Sequence, residues 1–397
     1  MLKDKRVIVT HGKGPFHNVK EALSKLDLKI IKNKSILIKP NIGRKAAAEK
    51  GINTHPQAVA GVIEVLKDNG AKKIAIGESP ILGVKIHEAF KISGIEEISK
   101  KYNCDLIDLD YVQPIIKIIP NGRILESTKI CAPVFDFDIL LSLPVAKTHM
   151  HTGVTLGIKN MKGCLYKREK VRYHQLEYLD GKEYKEFTLD SAISDLATIL
   201  IPDITVIDGF IGMEGLGPSG GDPIKSNFAV ASLNPFAADI IGCIMMGIEP
   251  KNISHLRIIS ERLNLDIAPE KYDVFPNDYK NYSIKYQTSP KKISIEYPDV
   301  KLYDKESCSA CLSTVMLFLK RFKTDMSQYL LDDKKLHLAI GKGILENEIR
   351  EGTILVGNCT RHITNKGIFV PGCPPVCTQI YKKITGKEPV ENEPENK

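Results

Sequence analysis

Blocks of apolar residues with two different periods alternate along the first half of the chain. Residues 34–41 (KSILIKPN) form a short apolar run ending in Pro and Asn, the pattern of a buried strand leaving a sheet. The next block places Val59, Val62, Ile63 and Leu66 at helical spacing and stops at Gly70. Pro56 suits its first turn, with Thr54 or His55 near the cap. Residues 72–80 read as a second strand broken at Gly77, a helical stretch runs on to Lys101, and residues 104–110 read as another strand. Residues 139–145 and 202–210 repeat the buried-strand pattern, and residues 234–247 read as a core helix with a cap at one end and Gly at the other. Apolar strands separated by helices predict an α/β fold with a mostly parallel sheet covered by helices.

The texture changes between residues 271 and 303, which hold six of the fourteen tyrosines together with Pro276, Pro290 and Pro298. This stretch reads as a connector with short strands. Strand patterns at 336–343 and 352–359 and a helical pattern at 378–386 then predict a second, smaller α/β unit. The expected organisation is an α/β domain over 1–270, a connector over 271–303, a cysteine-rich α/β domain over 304–386 and a disordered tail over 387–397. A length of 397 residues fits two to three domains of roughly 150 each. With 43% hydrophobic and 26% charged residues the composition is that of a globular protein, which excludes a disordered or collagen-like chain. No apolar run reaches the ~18 residues of a membrane span, and the opening MLKDKRVIVT lacks the pattern of a secretory signal. A cytoplasmic location without a membrane partner is expected.

Five of the nine cysteines, Cys308, Cys311, Cys359, Cys373 and Cys377, fall in the last ninety residues, whereas Cys104, Cys131, Cys164 and Cys243 are scattered. In a reducing compartment such clustering points to metal rather than disulfides. The order is C-x2-C, a long gap, then single cysteines, with Cys373 in the rigid turn VPGCPP. Structural zinc favours two matching knuckles, and only the first pair qualifies. Unligated buried thiols are the third reading. A [4Fe–4S] cluster, which draws thiolates from separate loops and often has proline after a ligand, is the reading the spacing favours. Cys308, Cys311 and Cys373 are the firmest ligands and Cys359 follows. Cys377 is left as a ligand, a spare thiol or a packing residue. Arg361, His362 and Lys366 lie between Cys359 and Cys373, where cations would raise the potential of an anionic cluster.

Lysines and polar residues recur where strands end. Lys39 and Asn41 follow the first strand, Glu78 closes the second, Lys147 and His149 follow the strand at 139–145, and Lys159 and Asn160 follow VTLGI. Between Lys159 and His174 six Lys or Arg residues face the single acid Glu169. The loop at 207–223 has six glycines with Asp208 and Glu214, but matches neither a Walker loop nor G-x-G-x-x-G. Together Lys39, Asn41, Glu78, Lys147, Lys159, Asn160, Asp208 and Glu214 outline one crevice for a phosphate or carboxylate. His149 or His174 would move a proton there; His149, His151 and His174 could instead hold a transition metal. The net charge of +8 agrees with anionic partners, while the absence of Trp and only 7% aromatic residues give no platform for nucleic acid.

The motifs ILIKPN, the strand ending GES, SLPVAKTHMHTGVTLGIKNMKG with the later His174, and IDGFIGMEGLGP resemble, in order and spacing, the family called domain of unknown function 362. The resemblance runs over roughly residues 6–249. It implies an α/β fold and an association with iron–sulfur modules, without an agreed reaction. The tail departs from the family's closely spaced cysteines, and its GCPP turn is similar to that of small electron-transfer subunits of hydrogenases. The expected function is an iron–sulfur protein with redox or lyase-type chemistry on a small anionic substrate. The alternative is a non-catalytic electron-transfer or cluster-delivery protein that docks a redox partner.

Overall fold

Strand β1 (Arg6–His11), β2 (Ser35–Pro40) and β3 (Lys73–Glu78) are apolar along both faces because helices cover both sides of their sheet. In a computed structural model of the chain, residues 2–81, 83–176, 188–289 and 296–389 are described. The chain divides into two compact units, Met1–Ser289 and Pro290–Lys397. Among the described residues no helix is long and apolar enough to cross a membrane.

The first unit adds β4 (Asp105–Asp108), the hairpin of β5 (Ile115–Ile118) and β6 (Ser127–Ile130), then β7 (Ile139–Leu143), β8 (Val145–His149) and β9 (Gly153–Thr155). It closes with β10 (Ile204–Glu214), β11 (Asp222–Ser232) and β12 (Asp273–Phe275). The main sheet has the order β12-β1-β11-β10-β7-β2-β3-β4, with β8 and β9 branching from β10. The β10–β7–β2–β3–β4 run is parallel throughout, and β11 is antiparallel to both neighbours. The α/β fold with a mostly parallel sheet stands as expected, in a mixed version. Alternate residues of each strand feed two apolar layers. Ile8, Ile36 and Ile38 pack under the helices Gly14–Ser24 and Pro56–Asp68, while Val7, Val9 and Leu37 pack under Thr188–Ala197 and Pro235–Met245.

Local chemistry sets the breaks. The helical stretch ending at Lys101 is two helices, Ile86–Ile92 and Ile95–Tyr102, because Gly94 takes a φ of +76° between them. Pro144 splits the strand expected over 139–145, so that β7 and β8 both follow β10 but at different registers. The glycine-rich stretch at 207–223, expected as a loop, is mostly the β10–β11 hairpin: Glu214 pairs with Asp222 across it, and only residues 215–221 turn.

The second unit is a four-stranded parallel sheet of β13 (Val300–Asp304), β14 (Leu336–Ile340), β15 (Thr353–Val356) and β16 (Gly367–Val370) in that order. Helices Ser309–Phe322 and Cys377–Thr385 pack on it through Val315, Phe318, Leu319, Ile380 and Ile384. Thus the expected connector at 271–303 contributes β12 to the first sheet and most of β13 to the second. Residues 390–397 of the expected tail lie outside the described residues.

Candidate functional site

The chain leaves β2 on one side for β3 and returns on the other side as β7. A crevice at such a switch point, beyond the carboxyl ends of the strands, is where open α/β sheets hold ligands. Lys39 sits near the end of β2, Glu78 ends β3, and Lys147 and His149 lie in β8 beyond Pro144. After β9 the short helix Gly157–Asn160 and the turn Met161–Cys164 bring Lys159, Asn160 and Lys162 to the same end. That helix is anchored by Asp239, whose carboxylate accepts from the amides of Gly157 (2.7 Å) and Ile158 (3.0 Å).

Lys39 Nζ stands 2.7 Å from Glu78 Oε1, with 0% and 2% of the two side chains exposed. Glu78 also accepts from the amides of Ile42 (2.7 Å) and Ser79 (2.8 Å). A Cβ at Gly163 would lie 2.7 Å from Lys39 Nζ, so the turn lies directly over this pair. Lys147 Nζ donates to Asn41 Oδ1 (2.6 Å) and to the Ile52 carbonyl (2.8 Å). Asn41 Nδ2 donates to Asn160 Oδ1 (3.2 Å), and Asn160 Nδ2 donates to the Lys39 carbonyl (2.9 Å). The two asparagines therefore clamp the loops that carry the lysines.

Lys159 Nζ donates to Thr155 Oγ1 at 3.2 Å, and Lys162 Nζ lies 2.8 Å from His174 Nε2. His149 Nδ1 accepts from the amides of His151 (3.2 Å) and Thr152 (3.3 Å), which leaves the proton of the neutral ring on Nε2. Lys147, His149, His151 and Lys159 are buried, and Lys162 and His174 are half-buried.

Burial pushes Lys147 down to about 7, reinforced by Arg44 and opposed by Glu78. Burial and then Lys170 bring Lys162 to about 7. Lys159 is held well below its ordinary value by burial, Lys162 and Lys147. Burial also holds His149 and His174 well below the usual imidazole range, with Lys159 the next cause for His149 and Lys162 for His174. Among the described residues the carboxylates bearing on these lysines, Glu78 and Asp190, are already paired with Lys39 and His255. These basic groups are held below their ordinary ranges by burial and by neighbouring basic groups among the described residues, and an anion bound beside them would act in the opposite sense.

Asp208 and Glu214 have other partners. Asp208 accepts from the amides of His55 (2.8 Å) and Phe210 (3.0 Å), fixing the start of helix Pro56–Asp68, and burial pushes its carboxyl up to about 6. Glu214 accepts from the Gln287 amide at 2.7 Å. Sequence reasoning passed over Lys162, Arg44 and Asp239. Lys162 carried a signal in its i, i+3 spacing from Lys159, and Asp239 in being the one acid within the apolar run 235–246. A cavity of about 590 Å³ lined by Arg6, Glu270, Tyr272, Asp273 and Lys280 contains none of these groups.

In the second unit Cys308 caps helix Ser309–Phe322 and Cys311 lies in its first turn, following β13. Cys359 lies in the 3-10 segment Asn358–Lys366 after β15, and Cys373 follows β16. Parallel strands thus deliver four cysteines to one end of the sheet, while Cys377 is the first residue of helix Cys377–Thr385. None of the nine cysteines is in a disulfide. A hydrogen bond from the Cys311 thiol lowers Cys308 to about 6. The same bond and burial raise Cys311, as do the charges of Cys308, Cys359 and Cys373. Burial, Cys308 and Cys373 raise Cys359. Among the described residues no three His, Cys, Asp or Glu side chains are set to share a single metal ion, either here or at His149, His151 and His174. Thiolates around a four-iron core stand further apart than ligands of one ion, because each binds a different iron.

Residues 36–244, more than half of the chain, match the family described as Domain of unknown function (DUF362). The chain belongs to the DUF362 family. The match covers the strands, turn and short helix that carry every lysine and histidine of the first-unit site. This DUF362 protein is 27% identical over 236 residues to a thylakoid-associated protein of Synechocystis, a match covering 58% of this chain and 68% of the relative. Among solved structures it is similar to the lactate racemase apoprotein of Thermoanaerobacterium thermosaccharolyticum, with TM-score 0.40, 12% identity and 61% of this chain covered. It is similar also to a Thermotoga maritima protein, with TM-score 0.39, 16% identity and 64% of this chain covered. The DUF362 chain spans 57% and 61% of the lengths of those two structures.

Proposed function

We propose that this DUF362 protein binds a small anionic substrate in its first unit and carries a [4Fe–4S] cluster on the cysteines of its second, for redox or lyase-type chemistry. The observation that carries the reading is the gathering of Lys147, Lys159, Lys162, His149 and His174 within electrostatic reach of one another, with Glu78 and Asp190 paired to Lys39 and His255 among the described residues. Buried lysines cost stability unless a negative charge accompanies them, and an anionic ligand would supply one. A phosphate or carboxylate would be held by Lys147 and Lys159. His149 or His174 would exchange a proton with it, and Lys162 is the basic group touching His174.

The donor set of the second unit fits a cluster: thiols from three separate segments lie at one sheet end, and four of them bear on one another electrostatically. When bound, a [4Fe–4S] cluster supplies one-electron chemistry or, with an open iron, Lewis acidity. A reducing compartment such as the cytoplasm would keep these thiols available. Exposure of Cys359 and Cys373 favours a second reading, in which the cluster exchanges electrons with a docked partner protein and the first unit is not catalytic.

Two measurements test the proposal. Anaerobically purified protein should contain iron and acid-labile sulfide and give an EPR signal on reduction; a colourless protein with stoichiometric zinc refutes the cluster. Inorganic phosphate, malonate or succinate should raise the thermal midpoint of wild type and fail to do so in Lys159→Met. If none of these anions moves the wild-type midpoint, the anion site is rejected.

A further inference from the structure

Five thiols are available to four irons. We infer that Cys308, Cys311, Cys359 and Cys373 form the complete ligand set, closing all four iron corners, and that Cys377 is a non-ligating thiol. This rests on the cluster proposed above and decides what that cluster can do.

Hydrogen bonds clasp the segments carrying Cys359 and Cys373 together. The Asn358 amide donates to the Gly372 carbonyl at 2.8 Å, and the Gly372 amide donates back to Asn358 Oδ1 at 3.0 Å. One residue earlier, the Gly357 amide donates to the Val370 carbonyl at 2.9 Å. The residues immediately before the two cysteines are therefore locked side by side.

Cys311 reaches into this clasp. A Cβ at Gly357 would lie 3.1 Å from Cys311 Sγ and 3.7 Å from the Gly372 carbonyl oxygen, and Gly357 has a φ of +93° that disfavours any side chain. One glycine thus borders the Cys311 thiol and the segments of Cys359 and Cys373. Cys308 joins through the hydrogen bond between its sulfur and that of Cys311. Cys308, Cys359 and Cys373 all bear on Cys311 electrostatically.

Past Cys373 the chain runs along helix Ser309–Phe322 away from its amino end. The Pro375 carbonyl accepts from Thr314 Oγ1 at 3.1 Å, and Cys377 Sγ lies 3.8 Å from Arg321 Nη1. Arg321 is ten positions beyond Cys311, roughly 15 Å of helical rise, so the Cys377 thiol is held by a side chain rooted almost three turns further along that helix. A guanidinium beside the sulfur offers Cys377 a partner of its own. With four thiolates on four irons, no iron remains vacant for a substrate oxygen, so the cluster is not the Lewis acid of a lyase.

Full-length wild type and the five single Cys→Ala variants, purified anaerobically, test the assignment by iron and sulfide content and by EPR of the reduced protein. Cys377→Ala should match wild type in iron, sulfide and signal. Each of the other four should lose at least half of the iron or convert to a three-iron signal. Cys359 and Cys373 are exposed, so their variants should keep the thermal midpoint of iron-free wild type, separating lost ligation from lost folding. Loss of iron from Cys377→Ala, or an unaltered signal in any of the other four, overturns the assignment. So does a wild-type signal that shifts when phosphate is added, since that reveals an open iron. Wild type without iron would instead refute the underlying cluster proposal.

Discussion

Lys39 and Glu78 meet at 2.7 Å in the interior, and the glutamate also holds the amides of Ile42 and Ser79. Glu78→Gln leaves the lysine charge without a counterion, and the expected loss is about 3–5 kcal/mol, read as a lower urea midpoint at unchanged denaturant slope. The neighbouring lysines give a pH signature. Folded Lys147 and Lys162 lose their protons near pH 7 against an ordinary value of 10.5, whereas the unfolded chain keeps them to about pH 10. The unfolded state then binds more protons, so stability of the ligand-free protein rises between about pH 7 and 10, on the order of 1 kcal/mol per pH unit for each lysine. Burial holds Asp208 up at about 6 and Asp239 at about 7, which favours the folded state as pH falls below neutrality, while His149 and His174, held below the usual imidazole range, act the other way there. Because an anion favours the charged lysines, stabilisation by phosphate should be largest below pH 7 and shrink above it; urea melts across this range, with and without phosphate, check both signs.

Among the elements, helix Pro235–Met245 shows how a local signal becomes a tertiary anchor. Asn234 caps it by accepting from the amides of Phe236 and Ala237, both at 3.1 Å, and its amide group donates to the carbonyls of Leu2 and Asp4. Asn234→Ala should cost about 1–2 kcal/mol by chemical denaturation, near the top of the range for a cap because it also releases the amino-terminal segment. The same helix carries Asp239, which holds the amides of Gly157 and Ile158, so the cap lies two steps from Lys159. The cap was legible because a polar residue before Pro and an apolar run is a local pattern. The β10–β11 hairpin was not: six glycines read as a loop, yet pairing with partners across the sheet holds Asp208 to Glu214 extended. Glycine imposes no backbone choice, so distant hydrogen bonds made it.

At the scale of the whole molecule, each unit has its own apolar cores, residues 7–286 supplying those of the first and 297–384 those of the second. Two unfolding transitions are expected, and removing iron with a chelator should lower the midpoint of one by several degrees while leaving the other in place. Calorimetry with and without anaerobic reconstitution checks this; a common shift of both transitions would contradict it.

What the amino-acid order alone determined is whatever depends on near neighbours: the strand and helix periods, the Asn234 cap, the proline turn at Cys373 and the crowding of cysteines into the last ninety residues. Tertiary structure alone decided which side chains meet. Lys39 and Gly163, or Lys147 and Asn41, are more than a hundred residues apart and come together only because β2 and β7 pair in the sheet. It also set the partners of Asp208, whose carboxylate accepts from the amides of His55 and Phe210. The division has one physical cause: backbone preference is set within a turn or two of chain, whereas a charge is defined by whatever folding places within a few ångströms of it.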